Sequence, residues 1–284
     1  MEKQKRVLAI HDISGVGKCS LTVALPIISA AGVECSVLPT AVLSTHTGGF
    51  TGYTFRDLTE DIAPMVRHWK QLGEHFDMIY TGYLGSIEQV ELMSRLFDEL
   101  ADEDTVIAVD PVLGDNGRLY PGFRLNFPTA MKKLCEKADI IMPNLTEATL
   151  MLGEEYIVGP YTQEYIEGIL HRLAEAMTLK KIILTGVFFD DKELGAATFD
   201  TATGEIEYIL AENIPGIYHG TGDVFGSALT GAMAIGKPVA EAVRVAVDFT
   251  TESIRWTKKA GTPIRYGVNF EAHLGKYMRD LGLL

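Results

Sequence analysis

The chain has 284 residues, 47% of them hydrophobic and 22% charged, with a formal net charge of −13. That composition supplies a packed core and excludes an intrinsically disordered chain. The excess of carboxylates also excludes broad nucleic-acid binding, which needs Lys and Arg to meet phosphates, although backbone N–H groups can still build a local phosphate site.

In chain order, the first predicted element is a strand: Val7, Leu8, Ala9 and Ile10 follow Lys3, Lys5 and Arg6. Polar His11 and Asp12 end that apolar run far short of a signal-peptide core. Residues 11–20 carry Gly17-Lys18 before a helical pattern, which invites a phosphate-loop reading. The spacing refuses it, because Asp12 stands where a Walker loop needs its first glycine and Cys19 where it needs Ser or Thr. The dinucleotide fingerprint fails as well: Gly15 and Gly17 fit, but Ser20 occupies the third glycine position. A structural turn is the plainer reading, with Ser14 as a candidate substrate contact.

Short β-rich runs recur at 35–38, 78–80, 106–109, 140–142 and 182–184 and predict buried parallel strands. Between them, Ser86 followed by Gln89 makes a capping box ahead of Val90, Met93, Leu96, Phe97 and Leu100 at helical spacing. Ile166, Ile169, Leu170, Leu173 and Met177 mark another helix, and Pro238 opens one through Val243, Val247 and Ile254 that Gly261 can close. Residues 196–199 and 206–209, around Thr203-Gly204, predict an edge hairpin. The alternation predicts an α/β fold: a three-layer α/β/α sandwich with a mainly parallel central sheet, in a single domain over 1–284. Ligands of such folds bind beyond the carboxyl ends of the strands. Cys19, Cys35 and Cys135 are scattered without metal-like spacing and read as ordinary thiols. No uncharged stretch approaches the roughly 20 residues of a membrane helix, so a cytoplasmic protein is expected.

The most informative segment runs from Gly216 through Gly220-Thr221-Gly222-Asp223 into an apolar helix rich in small residues. Two glycines let the backbone turn closely around a ligand while the first N–H groups of the helix hold an anion. Asp223 in the same turn can accept a proton from an attacking hydroxyl. The plainer alternative is that Thr221 or Asp223 only caps the helix.

Gly220-Thr221-Gly222-Asp223 resembles the signature of ribokinase-like kinases. Ser44-Thr45-His46-Thr47-Gly48, Thr81-Gly82-Tyr83, the run from Asp110-Pro111 to Gly114-Asp115, and Pro143-Asn144-Leu145-Thr146-Glu147 resemble, in the same order, segments of pyridoxal kinases. The resemblance spans nearly the whole chain and implies a ribokinase-like kinase that phosphorylates the 5′-hydroxymethyl group of pyridoxal, pyridoxine or pyridoxamine. Catalysis would fall to Asp223 with Gly220, Thr221 and Gly222. Ser14, His46, Thr47 and Tyr83 match the positions that hold the pyridine ring, and Asp110, Asp115, Asn144, Thr185 and Gly186, with Thr221 and Gly222, those around the nucleotide. Glu147 and Asp115 match the metal positions. The resemblance thus implies ATP as phosphoryl donor, Mg2+, and a homodimer, and leaves open a monovalent cation such as K+. His219 stands where many relatives carry a small or apolar residue. The residues also allow that Thr146 and Glu147 only cap and charge the first turn of a helix reaching Leu152, and that residues 115–121 form a mobile loop. Two rivals stand beside this reading: a hydroxymethylpyrimidine kinase and a non-catalytic vitamin-binding protein on the same scaffold.

Overall fold

A computed structural model describes residues 4–284. In chain order its elements begin with β1 (Arg6–Ser14), α1 (Leu21–Ala30), β2 (Glu34–Leu43), β3 (Phe55–Asp57), α2 (Thr59–Leu72), β4 (Met78–Thr81), α3 (Ile87–Leu100) and β5 (Val106–Val109). There follow β6 (Gly114–Asp115), β7 (Arg118–Leu119), α4 (Phe127–Cys135), β8 (Ile140–Ile141), α5 (Leu145–Leu152), α6 (Gln163–Met177) and β9 (Lys181–Val187). The chain closes with β10 (Glu193–Asp200), β11 (Glu205–Glu212), α7 (Thr221–Ala234), α8 (Val239–Ala260) and α9 (Leu274–Asp280). Contacts gather these into two compact units, one reaching Tyr80 and resuming over Ile214–Leu284, the other Thr81–Asn213. Among the described residues no helix is long and apolar enough to cross a membrane.

In the first unit β1 lies between β4 and β2, with β3 on the outer side of β2. β1 and β2 run parallel from Arg6 opposite Glu34, and β3 pairs antiparallel. Helix α1 packs on β1, β2 and α7, and α7 packs on α8. Val23, Ala24, Ile27 and Ile28 are fully buried beneath that cover, while Thr22, Leu25 and Ser29 form the exposed face of α1. Strand β1 continues past its expected end, with His11, Asp12 and Ser14 all buried.

In the second unit the strand order is β11-β10-β9-β8-β5. β5, β8 and β9 are parallel, while β10 and β11 form the expected antiparallel hairpin. Ser86 caps α3 by accepting the Gln89 N–H at 3.1 Å, but the Gln89 carboxamide takes the Gly85 N–H at 2.8 Å, so half the predicted capping box forms. β6 and β7 pair through a turn at Asn116 (φ 51°) and Gly117 (φ 74°), two positive φ values that suit a two-residue hairpin.

Candidate active site

The site in the first unit is built on the start of α7. Gly220 takes the N-cap in the left-handed region (φ 76°), and no side chain caps the helix. A Cβ there would sit 2.1 Å from the Lys18 carbonyl oxygen, so both the conformation and the close approach require glycine. The first N–H groups of a helix have no intrahelical partner, and here a carboxylate, Asp223, stands among them. Asp223 is partly exposed. Its enclosure by protein, reinforced by the neighbouring Asp12 charge, pushes its carboxyl up to about 7, against donation from the Ser20 N–H and the Cys19 thiol. The group is therefore poised to take a proton near neutral pH.

The loop after β1, assigned only a turn by sequence, packs directly on this helix start. Asp12 is 5% exposed, and its Oδ1 and Oδ2 accept the hydroxyls of Ser20 (2.6 Å) and Ser14 (3.0 Å). Asp12 was missed because it reads as the polar end of an apolar run. Its only sequence signal is Ser at two and eight positions beyond. Ser14, predicted as a ring contact, closes β1 and keeps its oxygen lone pairs for a second partner.

His46 is 6% exposed, and both ring nitrogens are committed within the protein: Nδ1 accepts the Gly48 N–H at 3.0 Å, and Nε2–H donates to the Arg265 carbonyl at 2.6 Å. It anchors the 44–50 loop and offers a ligand its ring surface only. Burial holds its pKa below the usual imidazole value, so the ring is neutral. His219 lies 5.5 Å from it, centroid to centroid, with its Nδ1 close to Gly48. Thr47 is exposed, with its hydroxyl open to a ligand.

In the second unit the candidates again follow strand ends. Tyr83 lies just beyond β4 and stacks on Phe123 at 5.7 Å, which in turn stacks on Phe127 at 4.0 Å. Asp110 follows β5 with its N–H on the Thr81 carbonyl. Thr185 and Gly186 lie near the end of β9, where Gly186 has φ 76° and open space beside its Cα. Asn144 and Glu147 form a complete capping box at the start of α5. Asn144 Oδ1 accepts the Glu147 N–H (2.9 Å), and Glu147 Oε2 accepts the Asn144 N–H (2.8 Å). Asn144 Nδ2 donates to the Gly114 carbonyl (3.0 Å) and Glu147 Oε1 accepts the Leu113 N–H (3.0 Å), which stitches the strand-end segment to the helix. Burial pushes the Glu147 carboxyl up to about 8, with the Asp115 charge adding to it. Exposed Asp115 accepts from the Asn116 N–H and Nδ2.

These donors limit how a divalent ion is held. Among the described residues no group of three or more His, Cys, Asp or Glu side chains is placed to bind a metal. Both Glu147 oxygens already take backbone N–H groups, while Asp115 presents hard oxygens to solvent. The residues fit an ion that keeps most of its waters, as Mg2+ does, with Glu147 acting through water.

The sequence profile of the family described as phosphomethylpyrimidine kinase matches residues 27–267. A Bacteroides thetaiotaomicron protein provisionally called a phosphomethylpyrimidine kinase, solved in one crystal form with pyridoxal, is 37% identical; the match covers 97% of this chain and 96% of that one, with a TM-score of 0.91. Pyridoxal kinase from Lactobacillus plantarum is 33% identical over 98% of both chains, with a TM-score of 0.89. A pyridoxine/pyridoxal/pyridoxamine kinase from Bordetella pertussis is 27% identical over 90% of each. With the profile covering most of its length and the solved relatives superposing nearly end to end, the chain is a kinase of ribokinase-like α/β fold and belongs to the phosphomethylpyrimidine kinase family, to which the pyridoxal kinases are related.

Proposed function

We propose that the chain transfers the γ-phosphoryl group of ATP to the 5′-hydroxymethyl group of pyridoxal, pyridoxine or pyridoxamine, with residues 1–284 working as one kinase domain. The observation that carries this reading is the start of α7, where a carboxyl raised to about 7 stands among uncapped N–H groups. The substrate O–H gives its proton to Asp223 as the oxygen bonds to the γ-phosphorus, and the bond to the β–γ bridging oxygen breaks to release ADP. Gly220, Thr221 and Gly222 supply the backbone that receives the migrating group's oxyanions. Ser14, Thr47 and Tyr83 contact the pyridine ring and its substituents, with His46 bracing the loop that carries Thr47. Asp110, Asp115, Asn144, Thr185 and Gly186 line the nucleotide's path. Bound Mg2+ would neutralise charge on the phosphates, reached from Asp115 directly and Glu147 through water.

The B6 substrate class is supported by the relatives from Lactobacillus plantarum and Bordetella pertussis and by the Bacteroides protein solved with pyridoxal. ATP is supported by a Leishmania donovani pyridoxal kinase of the same fold, solved with ADP and pyridoxamine. The family description itself favours a second reading, a hydroxymethylpyrimidine acceptor. Purified protein given ATP and Mg2+ with each B6 vitamer and with hydroxymethylpyrimidine decides between them through kcat/KM. A strong preference for the pyrimidine hands the assignment to the second reading, and full turnover in excess chelator removes the metal. A cytoplasmic homodimer completes the proposal, tested by sedimentation of the purified chain.

A further inference from the structure

Asp12 sits near the carboxyl end of β1, almost fully buried, with each oxygen claimed by a different hydroxyl. One of those hydroxyls belongs to Ser20, at the N-cap of α1, where a serine ordinarily accepts an N–H from the first turn. Here it caps nothing and donates to Asp12 instead. The Ser20 backbone lies at φ 57°, ψ −133°, a region that residues with a Cβ rarely enter and hold only when their surroundings impose it. In that conformation the Ser20 N–H faces the Asp223 carboxylate, with the Cys19 thiol beside it. The other hydroxyl on Asp12 is that of Ser14.

We propose that Asp12 is a positioning residue for phosphoryl transfer, holding Ser20 in its strained backbone so that donors are aimed at Asp223, and tying the base to Ser14 through the same carboxylate. The proposal rests on Asp223 being the base. Asp12 touches neither reactant; it acts through Ser20 and through its charge. The titratable groups facing Asp223 are Asp12 and the Cys19 thiol. His46, beside Asp12, and His219, tilted against His46, form the next ring, while the Lys18 ammonium is held by Asn269 and Glu271.

Carboxyl-carbon NMR of ligand-free protein, with Asp223→Asn to assign the signal, reads the base without any substrate. The Asp223 titration, expected near neutrality in the parent protein, moves down by about one unit in Asp12→Asn, because a like charge beside it is gone. With the preferred vitamer, the acid limb of the kcat profile follows in the same direction, and kcat falls on the order of 10-fold while the KM for ATP holds. Ser20 isolates the geometric half: Ser20→Gly enters positive φ freely and Ser20→Ala does not, so the glycine variant keeps about 10-fold more kcat than the alanine variant. An Asp223 titration that stays in place in Asp12→Asn overturns the proposal, as does an equal loss in the two Ser20 variants. Should Asp12→Asn fail to fold, the Ser20 pair decides. Parent protein inert toward every vitamer sinks the substrate assignment instead, and the NMR titration then decides the Asp12 coupling alone.

Discussion

The starts of α7 and α5 place an acid at the same helical position and put it to opposite use. Asp223 and Glu147 are each the third residue of their helix, two after Thr221 and Leu145 respectively. In α5 the N-cap is Asn144, whose side chain accepts one N–H while Glu147 reaches back to its backbone, so the helix start closes on itself. In α7 the N-cap is Gly220, which has no side chain to offer, and the shorter Asp223 meets the 19–20 loop instead. Burial raises both carboxyls, to about 8 and about 7. The residue before the helix thus decides whether the acid serves the fold or remains available to a ligand.

That contrast breaks if removing Asp223 is harmless. Asp223→Ala is expected to lower kcat on the order of 10²-fold or more with ligand binding retained, checked by steady-state kinetics beside calorimetry. The two glycines sharpen it. Gly220→Ala must place a Cβ against the Lys18 carbonyl at positive φ and is expected to cost about 3 kcal/mol in denaturant unfolding, whereas Gly222, whose Cβ would meet open space, should accept alanine without loss of stability. If phosphate is seated there, Gly222→Ala still loses about 10-fold in kcat/KM.

A third test separates the acids by pH. Asp223 has its folded pKa raised from 3.8 to about 7, so the folded state binds the extra proton and stability is lost as pH rises between those values. Asp223→Asn should therefore match the parent near pH 4 and, above pH 7, unfold on the order of 1 to 2 kcal/mol later, a figure discounted for the partial exposure of the group. Equal stability at both pH values would show that Asp223 is not confined by its surroundings. Smallest is the effect at α5: Asn144→Ala should cost about 1 kcal/mol, read as a lower melting temperature.

Most strands and the long helices were legible because their signals are local. Ser86, Pro238 and Gly261 stand at the ends they were predicted to mark, and the β10–β11 turn lies where Thr203-Gly204 places it. Helix α1 was legible only as a helical pattern after Lys18, without bounds, because its mostly apolar run, with Pro26 inside it, offers only Thr22 and Ser29 as polar positions. At the site, the Gly-Thr-Gly-Asp turn could be read from its glycines, which have few other uses in that order. The bonds from His46 Nε2 to the Arg265 carbonyl and from the Leu113 N–H to Glu147 could not, since those partners lie 219 and 34 residues away, whereas the role of Glu147 at a helix start was open from the sequence. Asp12 was hidden for the same reason: what keeps a charge inside a strand is a pair of hydroxyls that only the folded loop delivers.

The imidazole of His46 works as a latch that only a missing proton keeps shut. With Nε2–H fixed on the Arg265 carbonyl, Nδ1 holds the Gly48 amide through its lone pair alone. Protonation would set two N–H groups head to head and release that amide. The glycine pair carrying Thr47's loop keeps its shape while the ring is uncharged, which links the reach of the loop to the acidity of whatever medium surrounds the enzyme.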